Sequence, residues 1–214
     1  MAQPKRIFLS HVINGLYALT PDSTDTADLL RRVRQALAGG VQVLQYRNKI
    51  ANSAQRLEQA KALRQLTREF AVTYIVNDDA QLAAEVDADG VHLGASDGEI
   101  KTARQLLGPN KLIGVSCYNQ LSLADVAVQN GADYIAFGAF YSSSVKPEAA
   151  VATLDLLRDA RAKFKLPIVA IGGINADNAK VLIKAGANAI AVISAVFDAA
   201  EIEQTTQNLT KLFD

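Results

Sequence analysis

Charged and hydroxyl side chains recur in this sequence directly after short apolar runs, and their types suit phosphate and a hard cation. The cations are Arg47, Lys49 and Lys146, and the carboxylates are Asp78, Asp79 and Asp97. Cations and hydroxyls bind phosphate oxygens through charge-assisted hydrogen bonds. Carboxylates beside them would repel a phosphate unless a cation lay between, and Mg²⁺ typically binds through one or two carboxylates plus substrate phosphates. Asp78 and Asp97, with the three cations, therefore predict a clamp for Mg²⁺ and a diphosphate.

A second anion site is predicted from the last quarter of the sequence. Gly172-Gly173 and Ile193-Ser194 each follow or end an apolar run. In barrel enzymes such positions commonly bind a monophosphate through backbone N–H groups. Two phosphate sites at one edge would indicate two phosphorylated small-molecule substrates.

Each of these residues also has a simpler structural explanation. Asp79 is better explained as a helix N-cap, and the spacing of Asp97 fits a cap and a ligand equally well. Gly172-Gly173 fits a tight turn as well as a phosphate site, and most single lysines, Lys146 included, are solvated. A lone histidine such as His92 is more often a hydrogen-bonded core residue.

Composition bounds the class of protein. The chain has 214 residues, 22 Lys plus Arg against 22 Asp plus Glu, and 50% hydrophobic residues. Disordered chains combine low hydrophobicity with high net charge, and nucleic-acid binders usually carry a basic excess, so neither class fits. Cys117 is the single cysteine, which excludes an internal disulfide and fits a reducing compartment. Without a neighbouring cation or histidine in sequence, it is predicted to pack in the core.

The sequence predicts no association with a membrane. A spanning helix needs about 20 largely apolar residues, and the longest candidate, 187–200, is interrupted by Asn188, Ser194 and Asp198. The first residues lack the long apolar region of a signal peptide. We therefore expect a cytoplasmic protein, whose oligomeric state the sequence does not indicate.

The elements that must position these side chains alternate along the chain. Predicted strands lie at 16–19, 41–47, 73–77, 90–93, 111–116, 134–139, 167–171 and 189–193. Predicted helices lie at 22–38, 53–70, 80–86, 98–107, 122–130, 150–164, 176–185 and 200–212. Eight strand–helix units with near-continuous apolar strands predict a (β/α)₈ TIM barrel, since a doubly wound sheet rarely needs eight strands at this length. Without a linker-like stretch, residues 1–214 are predicted to form a single domain.

Seven motifs, in order over 16–197, resemble those of the thiamine-phosphate synthase family. They are Gln45-Tyr-Arg-Asn-Lys49, Ile75-Val-Asn-Asp78, Asp89-Gly-Val-His-Leu-Gly94 with Asp97, Ile113-Gly-Val-Ser116, Gly131-Ala-Asp-Tyr-Ile-Ala-Phe-Gly138 with Lys146-Pro147, Ile171-Gly-Gly-Ile174 and Val192-Ile-Ser194. The resemblance implies a transferase that joins 4-amino-5-hydroxymethyl-2-methylpyrimidine diphosphate to a thiazole monophosphate or its carboxylate. The products would be thiamine monophosphate and diphosphate, formed through a pyrimidine carbocation, with Mg²⁺ as cofactor.

The resemblance also implies residue roles. The pyrimidine diphosphate would be bound by Gln45, Tyr46, Arg47, Asn48, Lys49, Asn77, Ser116 and Lys146. The thiazole phosphate would be bound by Ser143, Ser144, Val145, Gly173, Ile193 and Ser194. Asp78 and Asp97 would hold Mg²⁺. No side chain is expected to act as a nucleophile or general base, because positioning and electrostatics would carry the reaction.

Two positions depart from the family pattern. The loop after the sixth strand usually reads Pro-Thr-x-Thr-Lys and here reads Ser142-Ser-Ser-Val-Lys146, so Val145 lacks a phosphate-binding hydroxyl. Tyr118 stands where the wider family often has histidine. A thiazole tautomerase would use that histidine and lack the metal clamp, so it is disfavoured. A non-catalytic phosphate-binding barrel, the other alternative, would need no complete clamp.

Overall fold

Eight parallel strands close into a barrel in chain order, with β1 hydrogen-bonded to β8. The computed structural model describes residues 13–94, 100–142 and 151–214. The strands are β1 (Gly15–Leu19), β2 (Val43–Tyr46), β3 (Thr73–Asn77), β4 (Gly90–Leu93), β5 (Leu112–Ser116), β6 (Tyr134–Phe137), β7 (Ile168–Ile171) and β8 (Ala189–Val192). The predicted (β/α)₈ barrel is confirmed.

Helices follow the strands around the outside of the barrel. They are α1 (Thr26–Ala38), α2 (Ser53–Glu69), α3 (Ala80–Glu85), α4 (Ile100–Leu107), α5 (Leu121–Gln129), α6 (Leu154–Lys163), α7 (Ala179–Lys184), α8 (Ser194–Phe197) and α9 (Ile202–Thr210). A 3₁₀ turn, Lys211–Phe213, ends the chain, and α8 is a short helix that the sequence did not predict. In the ranges described, no helix has the length and apolar character needed to cross a membrane.

Alternation along each strand divides the apolar residues into two layers. In β2, Val43 packs inside the barrel, whereas Leu44 and Tyr46 pack outward against the helices. Successive strand residues point to opposite faces, so every strand supplies both layers. Gln45 shares the inward direction of Val43, and the same alternation delivers at least one inward residue from each strand to the space above the inner core.

Some helix starts differ from the predicted ones because a different residue supplies the cap. Helix α1 begins at Thr26 rather than 22, since the Asp25 side chain accepts the Asp28 N–H over 2.9 Å. Helix α6 begins at Leu154 with Thr153 as its cap, rather than at 150, which lies outside the described residues. Helix α7 begins at Ala179 rather than 176.

The amino ends of the strands share a repeated hydrogen-bonding arrangement. The arrangement occurs in the pairs β1–β2, β3–β4, β5–β6 and β7–β8. In each pair, the side chain of the residue just before the second strand accepts the backbone N–H of a residue in the first strand. The pairs are Leu16 with Gln42 (2.6 Å), Tyr74 with Asp89 (2.8 Å), Ile113 with Asp133 (2.8 Å) and Ile168 with Asn188 (2.9 Å). In the last three repeats an arginine from the helix that precedes the first strand of the pair also binds that side chain: Arg64, Arg104 and Arg161. The arrangement ties each strand pair together at the closed end of the barrel.

Candidate active site at the carboxyl ends of the strands

A cavity of about 370 Å³ opens at the carboxyl ends of the strands, where barrel enzymes bind their substrates. Its volume lies within the range of roughly 300–1,000 Å³ typical of small-molecule sites. Each strand contributes at least one inward residue to its wall, among them Tyr17, Gln45, Asn77, His92, Ser116, Ala136, Val169 and Ala191, and β1 and β7 add Leu19 and Ile171. The wall from β1 to β5 is thus polar, whereas the wall from β6 to β8 is built from small and apolar residues.

The polar wall contains four of the residues predicted to bind the pyrimidine diphosphate. Gln45, Arg47, Asn77 and Ser116 all line the cavity. Gln45 is buried, and Asn77 and Ser116 are partly exposed at the ends of β3 and β5. The structure therefore brings together an amide from each of two strands, a hydroxyl and a guanidinium at one side of the mouth.

Arg47 is held at the rim by two residues that sequence analysis did not assign to the site. The buried Thr20 hydroxyl donates to the Arg47 carbonyl over 2.8 Å and accepts its N–H over 2.9 Å. Asp22 pairs with the Arg47 guanidinium, Nη1 lying 3.1 Å from Oδ1, and also accepts the Lys49 N–H over 2.8 Å. Position 22 was predicted only as the start of the first helix, and only the fold shows the contacts of Thr20 and Asp22 with the end of β2.

Two of the predicted ligands do not turn their side chains to the mouth. Tyr46 points outward, is 2% exposed, and donates its hydroxyl to Gln59 Oε1 over 2.9 Å. The Asn48 amide donates to the Ser23 carbonyl and to the same Gln59 oxygen, and its Oδ1 accepts the Ile50 N–H. Tyr46 points outward because successive residues of β2 alternate between the two faces. Asn48 turns away from the mouth because its amide is hydrogen-bonded to Ser23, Gln59 and the backbone of its own loop. Lys49 is exposed beside them and does not line the cavity.

The metal ligands predicted from sequence are only partly described. Asp78 follows β3 with φ +64°, and its N–H donates to the His92 carbonyl over 2.8 Å. Asp79 caps α3 by accepting the Leu82 N–H over 2.8 Å and pairs with Arg56 at 3.1 Å, which confirms the structural explanation of that residue. Asp97 lies outside the described residues. Among those described, no group of three or more His, Cys, Asp or Glu side chains could hold a metal ion.

The backbone at two glycines forms part of the opposite wall, beside the apolar side chains of β6–β8. Gly172 has φ +103°, and a Cβ there would lie 2.3 Å from the Ala139 Cβ. Gly173 has φ +62°, and a Cβ there would lie 2.4 Å from the Ser142 carbonyl oxygen. Because both positions combine a left-handed backbone with close contacts, only glycine fits them without strain.

The residues predicted to bind the thiazole phosphate lie along this same wall where they are described. Gly173, Ile193 and Ser194 line the cavity. Ile193 and Ser194 stand at the junction of β8 and α8. Ser143, Ser144, Val145 and Lys146 fall outside the described residues.

Four buried side chains and the partly exposed Ser116 form a continuous hydrogen-bonded chain across the cavity floor, and we call it the relay. Gln45 Nε2 donates to the Tyr17 hydroxyl over 2.7 Å, and the Tyr17 and Tyr134 hydroxyls lie 2.9 Å apart. His92 Nδ1 lies 3.0 Å from the Tyr134 hydroxyl, and its Nε2 lies 2.9 Å from Ser116 Oγ. The prediction that His92 is a buried, hydrogen-bonded histidine is confirmed, although it also lines the cavity. Neither tyrosine was assigned a role from the sequence, because strand tyrosines are ordinary core residues, although Tyr134 lies within the motif of residues 131–138.

Gly114 makes room for the relay. A Cβ on this residue of β5 would lie 1.9 Å from the ring of Tyr134. The Tyr134 ring therefore occupies the space in which a side chain from β5 would otherwise stand. Glycine at 114 allows a β6 side chain to reach the middle of the barrel and contact both Tyr17 and His92.

Cys117 directly follows Ser116 but lies outside the cavity. Its side chain is fully buried, and burial raises the pKa of the thiol to about 12. A thiol with so high a pKa is protonated at neutral pH and is a poor nucleophile. The prediction that Cys117 packs in the core is confirmed.

Comparison with known proteins gives one consistent family. A family model described as thiamine monophosphate synthase matches residues 16–196. A thiamine-phosphate synthase of Methylobacillus flagellatus is 54% identical over 202 residues, covering 94% of this chain and 96% of the relative. One of Thiobacillus denitrificans is 52% identical over 199 residues, covering 93% and 94%.

A solved structure agrees with these sequence relatives. A thiamine phosphate pyrophosphorylase from Pyrococcus furiosus superposes with a TM-score of 0.84 at 39% identity. The superposition covers 93% of this chain and 95% of that one. This chain belongs to the thiamine monophosphate synthase family.

Proposed function

We propose that this protein joins 4-amino-5-hydroxymethyl-2-methylpyrimidine diphosphate to a thiazole monophosphate. The bond between the pyrimidine methylene carbon and the diphosphate oxygen breaks, and a bond forms from that carbon to the thiazole nitrogen. The products are thiamine monophosphate and inorganic diphosphate. The observation that carries the proposal is one cavity with a polar wall of side chains on β1–β5 and a glycine-rich wall on β6–β8.

The polar wall suits the pyrimidine diphosphate. Arg47, fixed by Thr20 and Asp22, offers a charge-assisted donor to phosphate oxygens at the rim. Lys49 beside it adds a second cation, and we assign Lys146 the same role from the sequence. Gln45, Asn77 and Ser116 offer the hydrogen bonds that would orient the pyrimidine ring.

The carboxylates fit Mg²⁺ by the chemistry of their donors. Asp78 and Asp97 supply hard oxygen ligands, and together they give the one or two carboxylates that Mg²⁺ usually takes from a protein. Asp78 adopts a left-handed backbone conformation, which aspartate tolerates better than most residues. When bound, Mg²⁺ would neutralise charge on the diphosphate as it leaves.

The second wall suits the thiazole phosphate. Gly172 and Gly173 let the backbone reach the cavity without intervening side chains, so peptide N–H groups can approach phosphate oxygens. Ser194 adds a hydroxyl at the end of β8, and we assign Ser143 and Ser144 the same role from the sequence. On the same wall, Ala136, Val169 and Ala191 give an apolar surface that would keep water from a pyrimidine carbocation.

Catalysis in this proposal depends on position and charge rather than on a nucleophile or general base. The pyrimidine amino group can donate electrons through the ring and stabilise the positive methylene carbon. Arg47 stabilises the diphosphate as its bond to carbon lengthens. The two walls hold the thiazole nitrogen close to that carbon, which removes most of the entropic cost of bringing two substrates together.

The direct test mixes the purified protein with both precursors and Mg²⁺ and measures thiamine monophosphate by chromatography and diphosphate by enzymatic assay. We expect both products in equal amounts, and their loss when EDTA is added. A matched control is the Arg47→Gln variant, which should keep the fold and lower kcat/KM for the pyrimidine diphosphate by about a hundredfold. Absence of product from the wild-type protein with both precursors and Mg²⁺ present would contradict the proposal.

A further inference from the structure

Three successive peptide groups at the end of β7 are each anchored by their carbonyl oxygen. The carbonyls of residues 171–172 accept the backbone N–H groups of Phe140 and Tyr141 over 3.1 and 3.0 Å, respectively. The Gly173 carbonyl accepts from a side chain instead, since Asn178 Nδ2 lies 3.0 Å from it. Two of the anchors are therefore backbone groups that follow β6, and the third is the amide of Asn178.

An anchored carbonyl also fixes the direction of the N–H group that follows it. The C=O and N–H of a trans peptide lie in one plane and point in opposite directions. Within the ranges that the structure describes, the N–H groups of Gly172, Gly173 and Ile174 have no acceptor, and all three residues line the cavity. Successive N–H groups in a turn can form a concave site for an anion.

Asn178 is held in place by reciprocal hydrogen bonds with Asn175. Asn178 Oδ1 accepts the Asn175 N–H over 2.9 Å. Asn175 Oδ1 accepts the N–H groups of Asp177 and Asn178 over 2.9 and 3.3 Å. This is the geometry of a capping box, in which two residues three apart cap each other's N–H groups before a helix, here α7. Because Asn178 Oδ1 is engaged by an N–H, its other amide atom is the donor to Gly173.

A capping box needs only an acceptor at its second position, and Asn178 supplies a donor as well. Glutamate often fills that position in other helices. A carboxylate at 178 could accept the Asn175 N–H, but it could not donate to the Gly173 carbonyl. The amide is therefore required by the peptide that follows Gly173 rather than by the start of α7.

We propose that Asn178 is a positioning residue for the thiazole phosphate, because it holds the Gly173 carbonyl away from the cavity and turns the Ile174 N–H toward it. Asn178 does not line the cavity, whereas Gly173 and Ile174 do. The Asn178 side chain thus acts through a peptide group and not by contact with a substrate. This inference rests on the proposed function, and it extends the phosphate site to a residue outside the cavity.

Three variants test the proposal. Asn178→Asp keeps an acceptor for the Asn175 N–H and puts an oxygen in place of the donor to Gly173. Asn178→Ala removes both groups and adds no charge. Asn175→Asp is the matched control, because it adds the same charge three residues away and keeps an oxygen for the two N–H groups that Asn175 accepts.

Steady-state kinetics should separate the variants. We expect both Asn178 variants to raise KM for the thiazole monophosphate about tenfold, since the Ile174 N–H loses its fixed direction. KM for the pyrimidine diphosphate, and kcat with both substrates saturating, should stay within about twofold of wild type. Asn175→Asp should keep all three values. A wild-type KM for the thiazole monophosphate in both Asn178 variants would overturn the proposal.

A role confined to capping α7 predicts a different order of effects. Asn178→Ala would then lower the melting temperature and raise KM, whereas Asn178→Asp, which keeps the cap, would match wild type in KM. The positioning role predicts that the two substitutions raise KM alike, although only Asn178→Ala removes the cap. Equal KM values for the thiazole monophosphate in Asn178→Asp and Asn175→Asp would overturn the proposal.

NMR of ¹⁵N-labelled protein observes the peptide group directly and requires no turnover. The Ile174 amide proton should move downfield when the thiazole monophosphate is added, because it gains an acceptor. That shift should be lost in Asn178→Asp and kept in Asn175→Asp. An Ile174 signal that stays in place in the wild-type protein saturated with the thiazole monophosphate would overturn the proposal.

The outcomes also separate this inference from the proposed function. If the Ile174 shift occurs in the wild-type protein and is lost in Asn178→Asp, but no thiamine monophosphate forms, the inference stands and the proposed function fails. If thiamine monophosphate forms with wild-type KM values in both Asn178 variants, the proposed function stands and the inference is overturned.

Discussion

The two ends of this barrel are built on different rules. At the amino ends of the strands, one arrangement recurs in all four strand pairs. A side chain just before the second strand of the pair accepts a backbone N–H of the first strand. At the carboxyl ends, the inward residues that line the cavity vary in type from strand to strand, from tyrosine, glutamine and histidine to alanine and valine. The repeated end holds neighbouring strands together, whereas the varied end places different chemical groups around one cavity.

The repeated end also accepts different residues for the same task. Asp89, Asp133 and Asn188 occupy equivalent positions and bind equivalent arginines, so either a carboxylate or an amide oxygen suffices there. What matters is a hydrogen-bond acceptor at that place. At the carboxyl ends the charge itself is needed, because a diphosphate and a divalent cation are the proposed ligands. Substitutions at the amino ends should therefore change stability, and those at the carboxyl ends should change activity.

The largest expected effect is loss of stability in Asp133→Ala. The Asp133 side chain is buried, accepts the Ile113 N–H over 2.8 Å and pairs with Arg104. Removing it leaves a half-buried guanidinium and a buried N–H without this acceptor, which costs about 3–5 kcal/mol. We expect a matching fall in the free energy of unfolding, measured by urea denaturation.

The control variant is Asp133→Asn. It places at 133 the residue type that already stands at the equivalent position 188, so its free energy of unfolding should fall much less than that of Asp133→Ala. Neither variant should change kcat/KM at temperatures where it remains folded. A folded Asp133→Asn protein with lowered kcat/KM would show that the amino ends influence the site.

Gly172→Ala should have the next largest effect. It tests a residue at the carboxyl ends that we expect to affect stability as well as activity. Gly172 stands at the carboxyl end of β7, yet a Cβ there would meet the Ala139 Cβ at 2.3 Å from a backbone with φ +103°. Strain and overpacking together should cost about 3 kcal/mol. We expect lower stability in urea and a raised KM for the thiazole phosphate.

Gly131→Ala is the matched control, because Gly131 has φ +90° and nothing within 4 Å of the added Cβ. It should lose about 1 kcal/mol through backbone strain alone and keep its KM values. Equal losses of stability in the two variants would mean that the close contact at Gly172 is relieved by movement of its neighbours.

Asp78→Asn should lower activity and leave stability nearly unchanged. Asparagine keeps the preference for the left-handed backbone that Asp78 adopts at φ +64°, and removes only the charge. We expect kcat/KM with Mg²⁺ to fall about a hundredfold or more and the free energy of unfolding to change by less than about 1 kcal/mol. Steady-state assays over a range of Mg²⁺ concentrations would measure this, and wild-type activity in the variant would remove Asp78 from the proposed metal site.

The fold was predictable because it depends on a repeated pattern. Eight apolar runs of strand length, each followed by a helical segment, have few ways to bury their surfaces other than a closed parallel barrel. Helix starts were less predictable, since a cap is decided by local side-chain geometry. The first helix was predicted to start at 22, whereas in the structure Asp25 caps α1 through the Asp28 N–H and Asp22 pairs with Arg47.

The site was predictable where its residues are charged, glycine or part of a motif. Arg47, Asp78 and Gly173 could be selected in this way. The pairing of Tyr17 with Tyr134 was not predictable, because it joins residues 117 positions apart, Tyr17 lies in no motif, and Tyr134 had no assigned role within its motif. Tyr46 was assigned through its motif, yet the alternation of β2 turns it away from the cavity.

The smallest expected effect concerns Cys117, which neighbours Ser116 but faces the opposite layer. If the division of each strand into inward and outward residues holds, Cys117→Ala should leave kcat/KM within about twofold of wild type. Burial raises the thiol pKa to about 12, so the reactive thiolate is scarce below that pH and appears only as pH rises toward it. Iodoacetamide near pH 8 should therefore leave the native protein unmodified over a time in which the urea-unfolded protein reacts completely. Rapid alkylation of the native protein would show that β5 opens at its carboxyl end, where Ser116 closes the relay, and the fixed geometry assumed for the cavity would then be wrong.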